Sequence, residues 1–295
     1  MASATTVKRI DSAVVIDDDI YPPLHQINKA TTILSLPAEI RIVILEYVFE
    51  DNRHDRGFAN YNTPGGITVN DEYTVTDKLL PLFTCRQMHQ DGTLLALNRT
   101  NFMVTNLFFN IPERLQRLHP KQIEAVRNIA FVADQRHFRK LKNEWHHAPF
   151  GLANLYLDTV TIILHRSSFW HYLFDFTQDF TLMLRQLRNV KRFVFVKNAA
   201  LVKGSFKTWC NRLVGLILKH DHHMRYDRSP PEREEVWWEW SFDEVSQVFE
   251  LAARPPKKVM EEAEYMEFVK PLMERLRISI ENEEWNPDPR SRNGF

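Results

Sequence analysis

His220, Asp221, His222 and His223 form the densest run of metal-ligating side chains in the chain. A catalytic zinc site needs three ligands that converge and an outer shell that holds them. Successive helix positions point apart, so this run reads as a helix end, where histidines suit the negative pole of the dipole. His146-His147 is a weaker pair, and no H-E-x-x-H occurs. Ser167, Ser168 and Ser205 lack the G-x-S-x-G turn that exposes a nucleophile. Glu234-Glu235 and Glu261-Glu262 lie in charge-rich stretches and read as solvated faces. With eight glycines and no G-x-G-x-x-G or Walker pattern, no phosphate-cradling loop is legible. The expectation is therefore no catalytic residue, no metal, no cofactor and no enzyme activity. Trp237, Trp238 and Trp240 offer an aromatic platform; in a strand Trp238 and Trp240 share one side and Trp237 takes the other, so one side belongs to the core.

The 295 residues suffice for one large domain or two small ones, and twenty Phe and seven Trp supply a sizeable core. Lys plus Arg equal Asp plus Glu at 38 each, which gives no global electrostatic case for nucleic acid. Charge is uneven locally. Residues 112–147 carry eight Lys/Arg against four Asp/Glu, an excess of +4, and residues 232–284 carry seven against fifteen, an excess of −8. Such asymmetry orients protein partners. Two cysteines, Cys85 and Cys210, are too few for a disulfide framework and fit buried, reduced thiols. No run of about 20 apolar residues and no signal-peptide pattern appears, so the expected location is cytoplasmic or nuclear, with no membrane contact.

The elements that must position any site divide into four regions. Residues 1–32 read as a disordered tail. Within it Val14-Val15-Ile16-Asp17-Asp18, a β-branched run followed by acids, resembles a SUMO-interacting motif; the physics is strand addition to a sheet edge with the acids meeting basic neighbours. From about residue 111, strands expected at 128–132, 159–164, 192–196 and 236–240 alternate with helices expected at 136–145, over the helical spacing of Trp170 to Leu187, and from Phe206 to Ile217. Strand starts about thirty to forty residues apart are the spacing of βαβ units or of a strand–helix solenoid. After Pro255-Pro256 a last helix over 257–280 lines Val259, Ala263, Met266, Val269, Met273, Leu276 and Ile280 on one face.

Residues 34–49 are the most informative stretch. Pro37 suits a helix start and Glu39 complements the dipole of the first turn. At 100° per residue, Leu36, Ile40, Val43, Ile44, Tyr47 and Val48 cover one broad arc, and Ile42, Leu45 and Phe49 form a second apolar strip across a stripe of glutamates. A surface helix needs only one apolar face. The helix is thus either buried all round or holds one face for a partner. Leu36-Pro37-Ala38-Glu39-Ile40-Arg41 with Ile44-Leu45 resembles the opening helix of an F-box. Leu80-Pro81-Leu82-Phe83-Thr84-Cys85-Arg86-Gln87-Met88-His89, followed by Leu94-Leu95-Ala96-Leu97 and Asn101-Phe102, resembles the second helix as a large group of fungal F-box-like proteins words it. Residues 51–77 form a long insertion between the two motifs, and Asp91-Gly92 stands inside the second one, where Gly costs about 1 kcal/mol against Ala.

The resemblance implies an α+β chain. An F-box-like module spans 33–110, a strand–helix domain with a small, mainly parallel, leucine-rich-repeat-like sheet spans 111–254, and a C-terminal helix and tail span 255–295. It implies docking on a Skp-type linker of a cullin–RING ubiquitin ligase, with an unidentified protein substrate held by the strand–helix domain. Leu36, Pro37, Ile40, Ile44 and Leu45 match the F-box pattern, and Ile42 and Phe49 join them as partner-binding candidates from the two-face argument. Two alternatives stand beside this: a non-ligase scaffold that keeps the F-box-like fold, and an enzyme of unknown type on the βα domain.

Overall fold

The computed structural model describes residues 32–50, 57–60, 65–145, 147–170, 177–202, 205–227, 237–255 and 258–285. Pro37 caps α1 (Ala38–Phe49), with no side-chain bond to the helix start. Two short strands follow, β1 (Phe58–Ala59) and β2 (Thr68–Val69), paired antiparallel. Next come α2 (Val75–Leu79), a tight turn over Leu80–Phe83, and α3 (Arg86–Arg99). The expected second helix is therefore broken at its start: Cys85 takes the N-cap position and its sulfur accepts from the Met88 N–H at 3.5 Å. α3 runs unbroken through Asp91 and Gly92.

β3 (Asn101–Val104) opens the main sheet, and α4 (Ile111–Gln116) and α5 (Pro120–Ala125) lead to β4 (Asn128–Ala133). α6 (Gln135–Trp145) then crosses to β5 (Thr159–Leu164). Beyond β5 lie β6 (Phe169–Trp170), α7 (Thr177–Gln186), β7 (Arg192–Val196) and β8 (Leu201–Val202), with β6 and β8 forming a small parallel pair. α8 (Phe206–Tyr226), the hairpin β9 (Trp237–Asp243) and β10 (Val248–Arg254), and α9 (Glu262–Trp285) complete the chain. The helix read across Trp170 to Leu187 is thus shorter than expected, because Trp170 belongs to a strand.

The six-stranded sheet runs β3-β4-β5-β7-β10-β9. Its first four strands are parallel, in chain order, and the β9–β10 hairpin adds antiparallel to β7. The fold is α/β, with a mixed, mostly parallel sheet between N-terminal helices and a C-terminal helix, rather than α+β. Side-chain alternation splits the sheet into two faces. Ile129, Phe131, Val160, Ile162, Phe193 and Phe195 point to one large core with Trp145, Phe180, Trp209 and Tyr265 from the helices. Ala130, Val132, Ile163 and Val196 point the other way, onto Phe58, Ile67 and Val69. Burial on both faces explains why these strands read as continuous apolar runs.

The 51–77 insertion thus belongs to the sheet rather than to the helices it interrupts. Its described part covers the second face, and Asn198 pins it there: the Asn198 carbonyl oxygen accepts from the Val69 N–H at 2.9 Å, and its amide donates to the Leu164 carbonyl at 3.1 Å. α9 holds on chiefly by Tyr265 and Val269, both buried, whereas Met266 and Met273, expected on the docked face, stay 44% and 40% exposed.

Candidate functional site

α1 divides by exposure into two sides. Arg41, Leu45 and Phe49, at 6%, 1% and 0% exposure, form the inner side. Leu45 and Phe49 pack with Leu82, Met88 and Ala96 in a cluster of their own, separate from the sheet core. Ile40, Val43, Tyr47 and Val48 form the outer arc, with exposures of 48%, 46%, 74% and 44%. Leu36 and Ile44 are half-buried at its margin and Pro37 is exposed beside it. The seven partner-binding candidates therefore separate. Leu36, Pro37, Ile40 and Ile44 lie on or beside the open arc. Leu45 and Phe49 are covered by the chain's own α3 and are not available to a partner. Ile42 stands 39% exposed at the far edge of the inner strip. Val43, Tyr47 and Val48 belong to the open arc, and their signal was the same helical spacing that grouped them with Ile40.

The inner side is decided by three residues that local periodicity does not rank. Arg41 is drawn inward by Asp91 of α3, with Nε 2.8 Å from the carboxylate, and it also donates to the Leu36 carbonyl. A buried guanidinium needs such a partner, since desolvation otherwise outweighs what it gains. Gly92 allows the close approach: a Cβ there would lie 2.8 Å from Leu82 Cδ2 and 3.1 Å from Leu45 Cδ1. Asp91-Gly92 is thus the seat on which α1 packs.

The residues with chemical potential elsewhere are held in structural roles. Asp221 pairs with Arg185 and, at 3.3 Å, with Arg225. His222 pairs with Glu262 at 3.2 Å and packs on Tyr226, and His223 pairs with Asp227 at 2.9 Å. Among the described residues no group of three His, Cys, Asp or Glu side chains is placed to hold a metal ion. Cys210 is buried, which pushes its thiol well up. Trp238 is core, its indole N–H donating to the Leu184 carbonyl at 3.0 Å, and Trp240 is half-buried, so these two form no open platform. The Trp237 side chain, Glu234, Glu235, His146 and the motif Val14, Val15, Ile16, Asp17 and Asp18 lie outside the described residues.

In an open α/β sheet, ligands gather at the carboxyl ends of the strands where the strand order reverses. The four parallel strands here never reverse. The carboxyl end of β5 is occupied, whereas a cleft of about 340 Å³ lined by Val104, Phe108, Val132, Arg136 and His137 opens at the carboxyl ends of β3 and β4. Arg166, after β5, donates to the Val69 carbonyl at 3.0 Å and to Asn198 at 3.2 Å, which closes that end with the insertion. After β5, His165 Nδ1 lies 3.2 Å from the Ser168 hydroxyl, but among the described residues it has no carboxylate partner to orient it. Asp134, after β4, accepts from the N–H groups of Arg136 and His137 at 2.9 and 3.2 Å and so caps α6. Burial pushes the Asp134 carboxyl up, but hydrogen bonds from Arg136 and His137 outweigh it and hold the pKa at about 2. No helix among the described residues is long and apolar enough to cross a membrane. Compared with protein-family models, curated proteins and solved structures, the chain matches none.

Proposed function

We propose that this chain is an F-box-like protein-interaction module that docks on a Skp-type linker through the outer arc of α1 and so brings a protein substrate to a cullin–RING ubiquitin ligase. One observation carries the reading: a helix firmly seated by Leu45 and Phe49 presents Ile40, Val43, Tyr47 and Val48 to solvent on its opposite side. Contiguous exposed apolar surface of this kind marks interaction sites. Pro37, Ile40 and Ile44, which match the F-box wording, lie on or beside that arc. Leu45 takes the supporting role, holding the helix so that the arc is rigid. The mechanism is proximity: the chain performs no bond chemistry and raises the local concentration of a substrate lysine near the conjugating enzyme.

The test is co-purification of the full chain with a Skp-type linker. Wild type is expected to associate at micromolar concentration. Ile40→Asp and Tyr47→Asp are expected to abolish association with thermal stability unchanged. No association of the wild type at that concentration refutes the reading, as does association that both variants leave intact.

A further inference from the structure

α8 and α9 pack antiparallel: Asn211 donates to the Ser279 hydroxyl at 3.2 Å near one end, and His222 meets Glu262 at 3.2 Å near the other. Tyr265 and Val269 are the buried anchors of α9, and Leu272 and Leu276 are half-buried. Beside that contact a groove of about 840 Å³ stays open among the described residues, with Gly215 and Leu216 of α8 and Met266, Met273 and Ile280 of α9 in its lining. The lining follows α9 from Tyr265 to Glu281, about 24 Å at 1.5 Å per residue, a length that suits a helix laid along it rather than a compact small molecule. Exposed apolar surface of this extent marks an interaction site.

The charge pattern selects the occupant. Met266, Met273 and Ile280 recur every seven residues and so lie on one line of α9. Glu267, Glu274 and Glu281 each follow by one residue, which makes an acidic line about 100° farther round the helix. Arg212 and Lys219, also seven residues apart, stand in the α8 wall of the groove. Lys219 and Glu267 have no ion-pair partner among the described residues. Arg277 pairs with Glu274 and Glu281 at 2.6 and 2.5 Å, and the three together keep one negative charge in excess. The helix that fits a groove with a basic wall, an apolar seam bordered by acids, is thus α9 itself. We infer that a second copy of this chain fills the groove, the two α9 helices meeting antiparallel across a two-fold axis near Met273. Because α8 runs antiparallel to α9, that axis sets Arg212 of one protomer level with Glu267 of the partner subunit, and Lys219 level with Glu274 and Glu281 of the partner subunit. Every contact occurs twice, as an isologous interface requires. The interface uses none of the outer-arc residues of α1, so dimerisation and linker docking stand or fall separately.

The experiment is sedimentation equilibrium of the full chain, with thermal melts of each variant at dilution. Wild type is expected to dimerise at micromolar concentration. Met273 is 40% exposed, so Met273→Glu is expected to leave the melting temperature of the dilute monomer unchanged. By setting two carboxylates face to face at the axis, it is expected to raise the dissociation constant about a hundredfold or more. Lys219→Glu is expected to raise it about tenfold, and Glu274→Lys likewise, since Arg277 keeps Glu281. The two reversals together are expected to return it to within about threefold of wild type. The linker-deficient Ile40→Asp is expected to dimerise as wild type. A wild type that stays monomeric across the micromolar range overturns the inference. So does a dimer that Met273→Glu leaves intact, and so does a loss that the double charge reversal fails to restore. A lower melting temperature of dilute Met273→Glu also overturns it, because the groove is then filled by the chain's own residues.

Discussion

Truncating the two sides of α1 separates its seat from its docking face. Leu45 is 1% exposed, and the approach of Leu45 Cδ1 to the Gly92 backbone leaves no slack around it. The hole left by Leu45→Ala cannot collapse easily, which puts the cost in the upper part of the usual range, about 3–5 kcal/mol. Ile40 is 48% exposed, so Ile40→Ala removes roughly half of a full burial, about 1 kcal/mol at most. Because Leu45 belongs to a cluster apart from the sheet core, the loss is local before it is global. Native-state hydrogen exchange of the α1 amides therefore reads it more directly than a global melt. Leu45→Ala is expected to lower α1 protection by two orders of magnitude or more, about 1.4 kcal/mol per tenfold, and Ile40→Ala by less than one order. Equal effects of the two variants would refute the assignment of inner and outer sides, and with it the docking proposal.

Gly92→Ala gains about 1 kcal/mol of helix propensity but places a methyl 2.8 Å from Leu82 Cδ2 in a buried cluster, so urea denaturation is expected to show a net loss of roughly 1 kcal/mol. A gain would mean that α1 and α3 do not touch there. The Thr100 hydroxyl is fully buried and has no partner among the described residues, so Thr100→Val is expected to raise stability by about 1 kcal/mol, seen as a higher melting temperature. Asp134 titrates near 3.8 when unfolded and about 2 when folded. Its contribution is thus fully present above the unfolded value and is lost as pH falls through about 2. The stability gap between wild type and Asp134→Asn is expected to be about 1–2 kcal/mol at neutral pH, after allowing for the exposed Arg136 partner, and to close below pH 2 in acid titrations followed by circular dichroism.

β4, β5 and β7 were legible from short β-branched and aromatic runs, and β5 and β7 begin and end where those runs do. Strands buried on both faces need apolar residues at every position, and that is a local pattern. The crossover α6 was legible as a helix, and α8, which leads into the antiparallel hairpin, followed from its amphipathic spacing. β10 was not read, because Phe249 and Leu251 are its only fully buried side chains and their alternation is brief. The insertion carried turn signals and a hint of β2, but nothing local showed that it would lie on a sheet formed later in the chain.

The first helix shows where local information ends. Its residues alone determined that a helix forms from Ala38 to Phe49 and that it has apolar residues on two sides. They did not determine which side goes inward, because apolar side chains spread around most of its circumference and single out no direction. That choice was made from a distance of fifty residues, by Asp91, which draws Arg41 inward, and by Gly92, whose missing side chain lets Leu45 and Phe49 settle against α3. Local spacing sets the element; a charge and a vacancy on another helix set the face, and so the surface left for a partner.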